Sequence, residues 1–296
     1  GSEGLVAAGN IFMGMTESPV LIKNYLPTMN RSEIFLVMVS GMGTIAGSVM
    51  GTYIGMLGGT DPAAKVLFAT HLLSASVMAV PGSIVLAKML CPQTEEATDH
   101  VAISGKEKEN SNILDAISSG TVTGVKLMTN IAAMLLVFIS LVALANYITE
   151  GVIGRYTGLN DWIVKITDGK AQGLTFQFIL GVITSPFMWL IGVPSQDIML
   201  VGSLLGQKTI LNEFVAYFQL QQWKDAGLFM YEKSILMSTY ILCGFANISS
   251  IGILLGGLGV LAPEKRGLIS RIGVPAMIGG ALVSVLSATI IGMILG

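Results

Sequence analysis

Two short apolar segments, each interrupted by glycine or proline and each carrying one glutamate, constrain the fold of this chain most strongly. Glu17 lies in GNIFMGMTESP and Glu213 in GQKTILNEFVAY. An ionised carboxylate at the depth of a bilayer costs about 2.5–3.5 kcal/mol on insertion scales, so it is retained for a polar ligand, an ion or a water-filled path. A long apolar helix with its own polar break follows each segment. The arrangement indicates one structural unit used twice.

The composition is that of a chain whose solvent is lipid. Hydrophobic residues make up 52% of the 296 residues and charged residues only 11%, whereas soluble globular chains carry about 25% charged residues. The lipid bilayer is therefore the expected environment. A formal net charge of -2 offers no basic surface for a nucleic acid, so we expect no partner of that class.

Several stretches are apolar over the roughly 20 residues of helix that a bilayer crossing takes, namely 33–58, 63–90, 124–148, 236–261 and 268–295. The two glutamate-bearing pieces, 1–28 and 173–220, contain shorter apolar runs. Short segments interrupted by glycine and proline at corresponding places in two halves are typical of re-entrant hairpins and of a transporter binding site. We therefore expect an all-α polytopic membrane protein with inverted repeats, each a re-entrant helical hairpin followed by a broken transmembrane helix.

The domain organisation follows from the same pattern. We expect a single membrane transport domain over 1–296, with a first hairpin repeat (1–90), an extramembrane loop (91–123), a span plus an interfacial stretch (124–172) and a second hairpin repeat (173–296). A modest excess of lysine and arginine on one side assigns that side to the cytoplasm. The two hairpins then enter from opposite sides, as alternating access requires.

The hairpin tips and the helix breaks can supply binding groups. Unwound backbone at membrane depth is tolerated where it lines a cavity, and its N–H and C=O groups can replace the hydration shell of a substrate or cation. Side chains at the two tips add to these groups: Met15, Thr16, Glu17, Asn212 and Glu213. The breaks are expected at 43–48 and 245–250. An alternative for Glu213 is a structural ion pair with Lys208.

Several motifs together resemble the concentrative nucleoside transporter family. They are Gly14-Met15-Thr16-Glu17, Ser32-Glu33, Thr44-Ile45-Ala46-Gly47-Ser48, Gly206-Gln207-Lys208, Asn212-Glu213-Phe214-Val215-Ala216, and Gly244-Phe245-Ala246-Asn247 with Ser249-Ser250. They occur in the family's order along the whole chain. The family's N-terminal spans are missing, so we expect an N-terminally truncated member. The resemblance implies a trimeric, cation-coupled nucleoside importer of the plasma membrane (the bacterial inner membrane), multi-pass, with an elevator-like motion.

The resemblance also implies a role for individual residues. The ribose hydroxyls would be held by Glu17, Glu213, Asn247 and Ser250, with Asn212 beside them, and the base would be met by Met15, Thr16, Val49 and Phe245. A sodium ion would be bound by Asn10, Thr16 and the backbone near Met13, Thr44 and Ile45. Met15 stands where most relatives have glutamine. Sodium is favoured over the proton as coupling ion because Asn10 lies seven residues before the hairpin glutamate, and no other cofactor is expected.

Other functions remain open at this point. The chain could transport another polyol-like or anionic solute on a similar inverted-repeat fold, or it could be an ion channel. An intramembrane enzyme is not expected, because the sequence places no metal-ligating histidine pair and no Ser/His or paired-Asp arrangement at membrane depth.

Overall fold

The computed structural model describes residues 1–95, 143–167, 169 and 171–296, together with scattered positions between 112 and 141. These residues belong to two compact units, one formed by Gly1–Val101 with Ile179–Gly296 and the other by Ala102–Phe178. Every regular element in the described part of the chain is helical, which confirms the expected all-α class. The expected span at 124–148 lies mostly outside the described residues.

The first half of the larger unit consists of a hairpin, a broken helix and a long helix. The hairpin contains α1 (Ser2–Gly9) and a 3-10 turn (Ser18–Ile22). The broken helix is α2 (Arg31–Gly43) followed by α3 (Gly47–Gly58), and the long helix is α4 (Pro62–Leu90). Asn30 and Glu33 form a capping box that fixes the start of α2.

The second half of the chain repeats the order of hairpin, broken helix and long helix, after the helices that lie between the two repeats. In the smaller unit, an eight-residue π-helix (Tyr147–Gly154) precedes α5 (Leu159–Ile166). A further apolar helix, α6 (Phe176–Leu190), then leads to a hairpin of α7 (Ile198–Ile210) and α8 (Glu213–Asp225). The broken helix is α9 (Glu232–Leu242) with α10 (Ile248–Leu261), and the long helix is α11 (Arg266–Ile294). The two halves therefore carry the two repeats that the sequence predicts.

Both expected breaks are present, although the second begins earlier than expected. The first covers Thr44 and Ala46, whose backbones are extended. The second runs from Cys243 to Asn247, so Ser249 and Ser250 lie in the first turn of α10 and not in the break. The stretch at 236–261 is therefore a broken helix, as expected, with its break shifted towards the N-terminus. Within the described residues, three helical stretches are long and apolar enough to cross a membrane by length and composition: Arg31–Gly58, Pro62–Leu90 and Pro263–Ile294.

Gly244 makes the second break possible. Its φ of 155° lies outside the range that side-chain-bearing residues favour. A Cβ atom at this position would lie 2.9 Å from the Met42 carbonyl oxygen and 2.8 Å from Ser284 Oγ. The backbone of the second break therefore approaches the end of α2 more closely than any residue with a side chain allows.

Two hydrophobic clusters lie on either side of the breaks. The first core cluster joins the first hairpin to α2, α10 and α11 and includes Met15, Ile34 and Leu254. The second core cluster joins α3 and α4 to the second hairpin and α9 and includes Tyr53 and Tyr217. Phe245 packs against both clusters, which places the second break between them.

Candidate functional site

The two breaks meet in space. The Phe245 N–H donates to the Thr44 carbonyl oxygen at 3.2 Å, and the Gly47 N–H donates to the Phe12 carbonyl oxygen at 2.9 Å. The first bond joins the break of one repeat to the break of the other. The second joins the first break to the tip of the first hairpin. The fold thus gathers unwound backbone from both repeats in one place, as transporter binding sites do.

We call the place where the two breaks meet the crossing. Glu213 is the charged group at the crossing. Its side chain is only 7% exposed, and it opens helix α8 directly after the tip of the second hairpin. The Tyr53 hydroxyl donates to Oε1 at 3.2 Å, and Asn247 Nδ2 donates to Oε2 at 3.0 Å. A buried carboxylate is therefore held by neutral donors from α3 and from the second break.

Asn247 has its orientation fixed by the helix that it caps. Its Oδ1 accepts from the Ser250 N–H at 2.9 Å, from Ser250 Oγ at 3.0 Å and from Ser249 Oγ at 2.6 Å. Because all of these bonds engage the amide oxygen, the NH₂ group is directed at Glu213. The Asn247 side chain therefore both caps the N-terminus of α10 and orients the Glu213 carboxylate.

The two tyrosine rings next to Glu213 are also held in place by packing and by a hydrogen bond. The ring of Tyr53 stacks on that of Tyr217 with centroids 4.1 Å apart and planes 22° apart. The Tyr217 hydroxyl donates to the Thr239 carbonyl oxygen at 2.8 Å. Tyr53 is fully buried, so its hydroxyl is directed at Glu213 by packing on every side.

The alternative of an ion pair between Lys208 and Glu213 is not supported. Lys208 Nζ instead donates to the Ile241 carbonyl oxygen at 2.7 Å and to Ser284 Oγ at 3.0 Å. Among the ion pairs of the described residues, none joins Lys208 to Glu213.

The first hairpin tip places its residues differently. Glu17 is exposed and accepts from the Gly14 N–H on its own turn at 2.5 Å. Met15 is buried against Gly41 of α2, and Thr16 packs against Gly257 of α10. No hydrogen bond of the described residues joins Glu17 to Glu213. The two glutamates are not linked directly in this structure.

The remaining candidate substrate residues lie around the crossing. Val49 is half-buried against the second core cluster, and Phe245 is half-buried between both clusters. The Asn212 side chain accepts from the Val215 N–H at 2.9 Å and so caps α8. The Asn212 carboxamide oxygen is therefore occupied in capping the helix that begins at Glu213.

Two of the residues expected to bind sodium, Asn10 and Thr44, belong to a second polar network. Asn10 is fully buried; its Nδ2 donates to Ser40 Oγ at 3.0 Å, and its Oδ1 accepts from Ser18 Oγ at 2.6 Å. Thr44 Oγ1 donates to the Ser40 carbonyl oxygen at 3.0 Å. Ser40 therefore links Asn10 of the first hairpin to Thr44 of the first break. Met13 follows in the turn after α1, and Ile45 is buried in the break.

Tyr53, Ser18 and Ser40 were missed by reasoning from the sequence. Tyr53 carried a usable signal, because a hydroxyl-bearing aromatic in the helix after a break needs a hydrogen-bond partner when it is buried. Ser18 and Ser40 carried none, since serine in an apolar helix commonly bonds to its own backbone. Amide, hydroxyl and carbonyl oxygens are the ligands that hard cations prefer. The polar network of Asn10, Ser18, Ser40 and Thr44 offers these ligand types and so suits the expected sodium ion.

A helical membrane transporter built from two inverted hairpin repeats is the class of protein that this fold and site define. Residues 71–292 match the family described as "Na+ dependent nucleoside transporter C-terminus". The chain belongs to this family, the concentrative nucleoside transporters, which confirms the resemblance seen in the sequence. It is a multi-pass membrane protein of a family of transporters, not of enzymes.

Individual relatives agree with this assignment. A protein of Haemophilus influenzae named "Uncharacterized transporter" is 39% identical over 100% of this chain and 66% of its own length. Sodium/nucleoside cotransporter 1 of Rattus norvegicus is 39% identical over 99% of this chain and 44% of its own length. The solved structure of CNTnw in an inward-facing, substrate-bound state has a TM-score of 0.82 and 36% identity, covering 99% of this chain and 64% of that one. The chain thus spans about two thirds or less of these proteins.

Proposed function

We propose that this protein is a sodium-coupled symporter that imports nucleosides by alternating access. The observation that carries the proposal is the buried Glu213 carboxylate, held by Tyr53 and Asn247 where the two breaks cross. A carboxylate offers about four acceptor positions. The two protein donors leave acceptor capacity for the vicinal hydroxyls of a ribose, which form charge-assisted bonds stronger than neutral ones.

The base of the nucleoside would contact the apolar side of the crossing. Phe245 presents a half-buried ring at the break, and a flat heterocycle can pack on such a face. Val49 and Met15 extend the apolar surface, and Thr16 adds a hydroxyl. Met15 cannot pair with a base amide as glutamine can, so we propose a preference for purines over pyrimidines.

Glu17 would take part only when substrate is bound. Its carboxylate is exposed and engaged with Gly14 of its own turn. A ribose would therefore bridge the first tip, through Glu17, to Asn247, Glu213 and Ser250 of the second repeat. Such a bridge would join the two repeats when the substrate arrives.

Sodium would bind beside the first tip. Asn10 and Thr44, linked through Ser40, supply oxygen ligands together with Thr16 and the backbone near Met13 and Ile45. An ion that bridges the hairpin to the break would order the tip and raise the affinity for nucleoside. By linkage, the nucleoside would raise the affinity for sodium by the same factor.

The remaining assignments belong to the same proposal. We place the protein in the plasma membrane (the bacterial inner membrane) as a homotrimer, with repeats at 1–90 and 173–296 separated by the loop at 91–123 and the span and interfacial stretch at 124–172. The support is the family membership and the two repeats of hairpin and broken helix.

The test is uptake of radiolabelled uridine and adenosine by the full-length protein in proteoliposomes, with and without an inward sodium gradient. We expect saturable uptake that the gradient accelerates. Uptake of neither nucleoside, with competition by another polyol-like or anionic solute, would point to a different cargo. Sodium current without any nucleoside-dependent stoichiometry would instead indicate a channel.

A further inference from the structure

A cavity of about 330 Å³ lies at the start of α2, and none of its lining residues is proposed to bind nucleoside or sodium. One wall consists of Asn30, Arg31 and Ser32, where α2 begins. The other wall consists of residues between Leu90 and Glu95, where α4 ends. Both walls belong to the larger unit. The class of ligand follows from the groups that the two walls present.

The α2 wall presents hydrogen-bond donors that have no acceptor in the described part of the chain. The capping box occupies the N–H groups of Asn30 and Glu33. The N–H groups of Arg31 and Ser32 donate to no described residue. Asn30 Nδ2 is buried and likewise has no partner among the described residues. A buried donor without an acceptor is costly, so this wall favours a ligand that accepts hydrogen bonds.

The same wall is positively charged. Arg31 is exposed, and its guanidinium group forms no ion pair with a described residue. The N-terminus of α2, a helix of 13 residues, adds the positive end of a helix dipole. Glu33 is engaged by the Asn30 N–H at 2.8 Å, and Glu95 of the other wall is exposed to solvent. A guanidinium group beside free N–H groups at a helix start suits a phosphate.

Leu90 connects the cavity to an exposed apolar surface. It lines the cavity, and its Cδ1 lies 3.4 Å from the position that a Cβ atom on Gly279 of α11 would occupy. Farther along the two helices, Leu286 packs in the same way over Gly82 of α4 at 3.8 Å. Exposed apolar residues of α11 follow one another at helical spacing between these contacts: Val274, Ile278, Leu282 and Leu286. We call Leu90 and these four residues the α4–α11 face.

A second unpaired arginine lies at the end of the α4–α11 face. Val39 of α2 packs on Gly279 of α11, and the pair one turn later repeats the contact, so the two helices run in the same direction. Arg31 and Arg271 each lie eight residues earlier on their helix and are therefore at the same level. Arg271 is exposed and forms no ion pair with a described residue. The apolar surface thus ends in positive charge.

We propose that the cavity binds the phosphate group of an anionic phospholipid whose acyl chains lie along the α4–α11 face. Arg31, Asn30 Nδ2 and the two free N–H groups of α2 would hold the phosphate oxygens. Arg271 would lie in the headgroup layer at the same level. A lipid is favoured over a soluble phosphate because Leu90 belongs both to the cavity and to the apolar face.

The expected orientation in the membrane agrees with this ligand. The bias of lysine and arginine assigns this end of the helices to the cytoplasm. Basic pockets between transmembrane helices on that side are typical sites for anionic headgroups. The inference does not depend on the proposed nucleoside transport, because lipid binding is measured without nucleoside.

The first measurement needs no variant. Native mass spectrometry of the full-length protein in detergent counts bound lipid per chain while phosphatidylglycerol or phosphatidylcholine is added. We expect phosphatidylglycerol to saturate one site that phosphatidylcholine does not fill, and glycerol 3-phosphate at the same concentration not to displace it. Equal binding of the two lipids would overturn the inference. Displacement by glycerol 3-phosphate would show a site for soluble anions and would overturn the lipid assignment.

The second measurement compares Arg31→Gln with Arg155→Gln. Arg155 is a matched control, because it is an exposed arginine of the smaller unit that forms no ion pair with a described residue. We expect Arg31→Gln to weaken phosphatidylglycerol binding about tenfold and Arg31→Lys to weaken it less. Arg155→Gln should bind as the unaltered protein does. Equal affinities of folded Arg31→Gln and Arg155→Gln would refute the role of Arg31.

Asn30→Asp separates the cavity from the charge of its surroundings. The aspartate keeps the oxygen that caps α2 but replaces the buried donor by an acceptor that repels a phosphate. We expect unchanged thermal stability and a loss of phosphatidylglycerol binding at least as large as in Arg31→Gln. Unchanged lipid binding in Asn30→Asp would exclude the cavity as the headgroup site.

Leu90→Ser tests the connection to the apolar face. It should weaken the binding of long-chain phosphatidylglycerol and leave that of a short-chain, water-soluble phosphatidylglycerol unchanged. Long-chain binding equal to that of the unaltered protein would contradict the placement of the acyl chains along the α4–α11 face.

Discussion

Removal of the Tyr53 hydroxyl tests how the protein positions Glu213, the carboxylate that we propose binds the substrate. In Tyr53→Phe the ring keeps its stack on Tyr217, and Glu213 loses one of its two neutral donors. A hydrogen bond to a charged group contributes about 1.5–3 kcal/mol. The O···O distance of 3.2 Å exceeds the usual range for hydroxyl donors, so we take the lower figure, about 1.5 kcal/mol.

Part of this free energy should appear in substrate binding. Without nucleoside, water can take the place of the lost hydroxyl at Glu213, but a bound ribose excludes that water and leaves Oε1 short of a donor. Because about 1.4 kcal/mol corresponds to a factor of ten in Kd, we expect Tyr53→Phe to raise the Kd for adenosine three- to tenfold. Isothermal titration calorimetry at saturating sodium measures this change.

Tyr217→Phe is the matched control for this prediction. It removes a hydroxyl that donates to Thr239 at 2.8 Å and makes no hydrogen bond to Glu213. We expect a loss of about 1 kcal/mol in stability and a Kd within twofold of that of the unaltered protein. The reasoning is refuted if Tyr53→Phe also stays within twofold, or if Tyr217→Phe weakens binding as much.

Four further outcomes follow from the site. Glu213→Gln should weaken nucleoside binding tenfold or more, and a 2',3'-dideoxynucleoside should bind the unaltered protein poorly; equal binding of parent and dideoxy compound would exclude the ribose role. Met15→Gln should raise uridine affinity relative to adenosine, and an unchanged ratio in competition binding would show that the base is recognised elsewhere. Asn10→Ala, which breaks the bonds to both of its serine partners, should abolish the sodium dependence of uptake at fixed pH; uptake that follows a pH gradient and ignores sodium would contradict this assignment. Gly244→Ala should lower the free energy of unfolding by about 2 kcal/mol or more, and equal thermal stability of Gly244→Ala and the unaltered protein would contradict the close approach seen at the break.

The sequence predicts the repeats because their signals are local. Glycine, proline and weakly polar residues interrupt apolar runs at corresponding places, and a break can be expected wherever they do. Its boundary is harder to place, as Ser249 and Ser250 show. Both serines bond to the Asn247 cap, and a capped first turn resembles unwound backbone in composition.

The partners of the site residues could not be predicted because they come from distant parts of the chain. Lys208 lies near Glu213 in sequence, which suggests an ion pair, yet it bonds to the break between α9 and α10. Tyr53 and Glu213 are brought together only by the packing of α3 against the second hairpin. Which donor faces which acceptor depends on the three-dimensional arrangement of the repeats.

The hydrogen bond between Phe245 and Thr44 also affects how the chain matures in the membrane. Its two partners are separated by about 200 residues, and contacts of such long sequence separation form late and slowly. During synthesis the first repeat enters the bilayer with the Thr44 carbonyl still lacking its final donor, and an unsatisfied backbone group there costs several kcal/mol. The Thr44 carbonyl of the nascent first repeat therefore receives its native donor only after the second repeat has been inserted and its break has docked against the first.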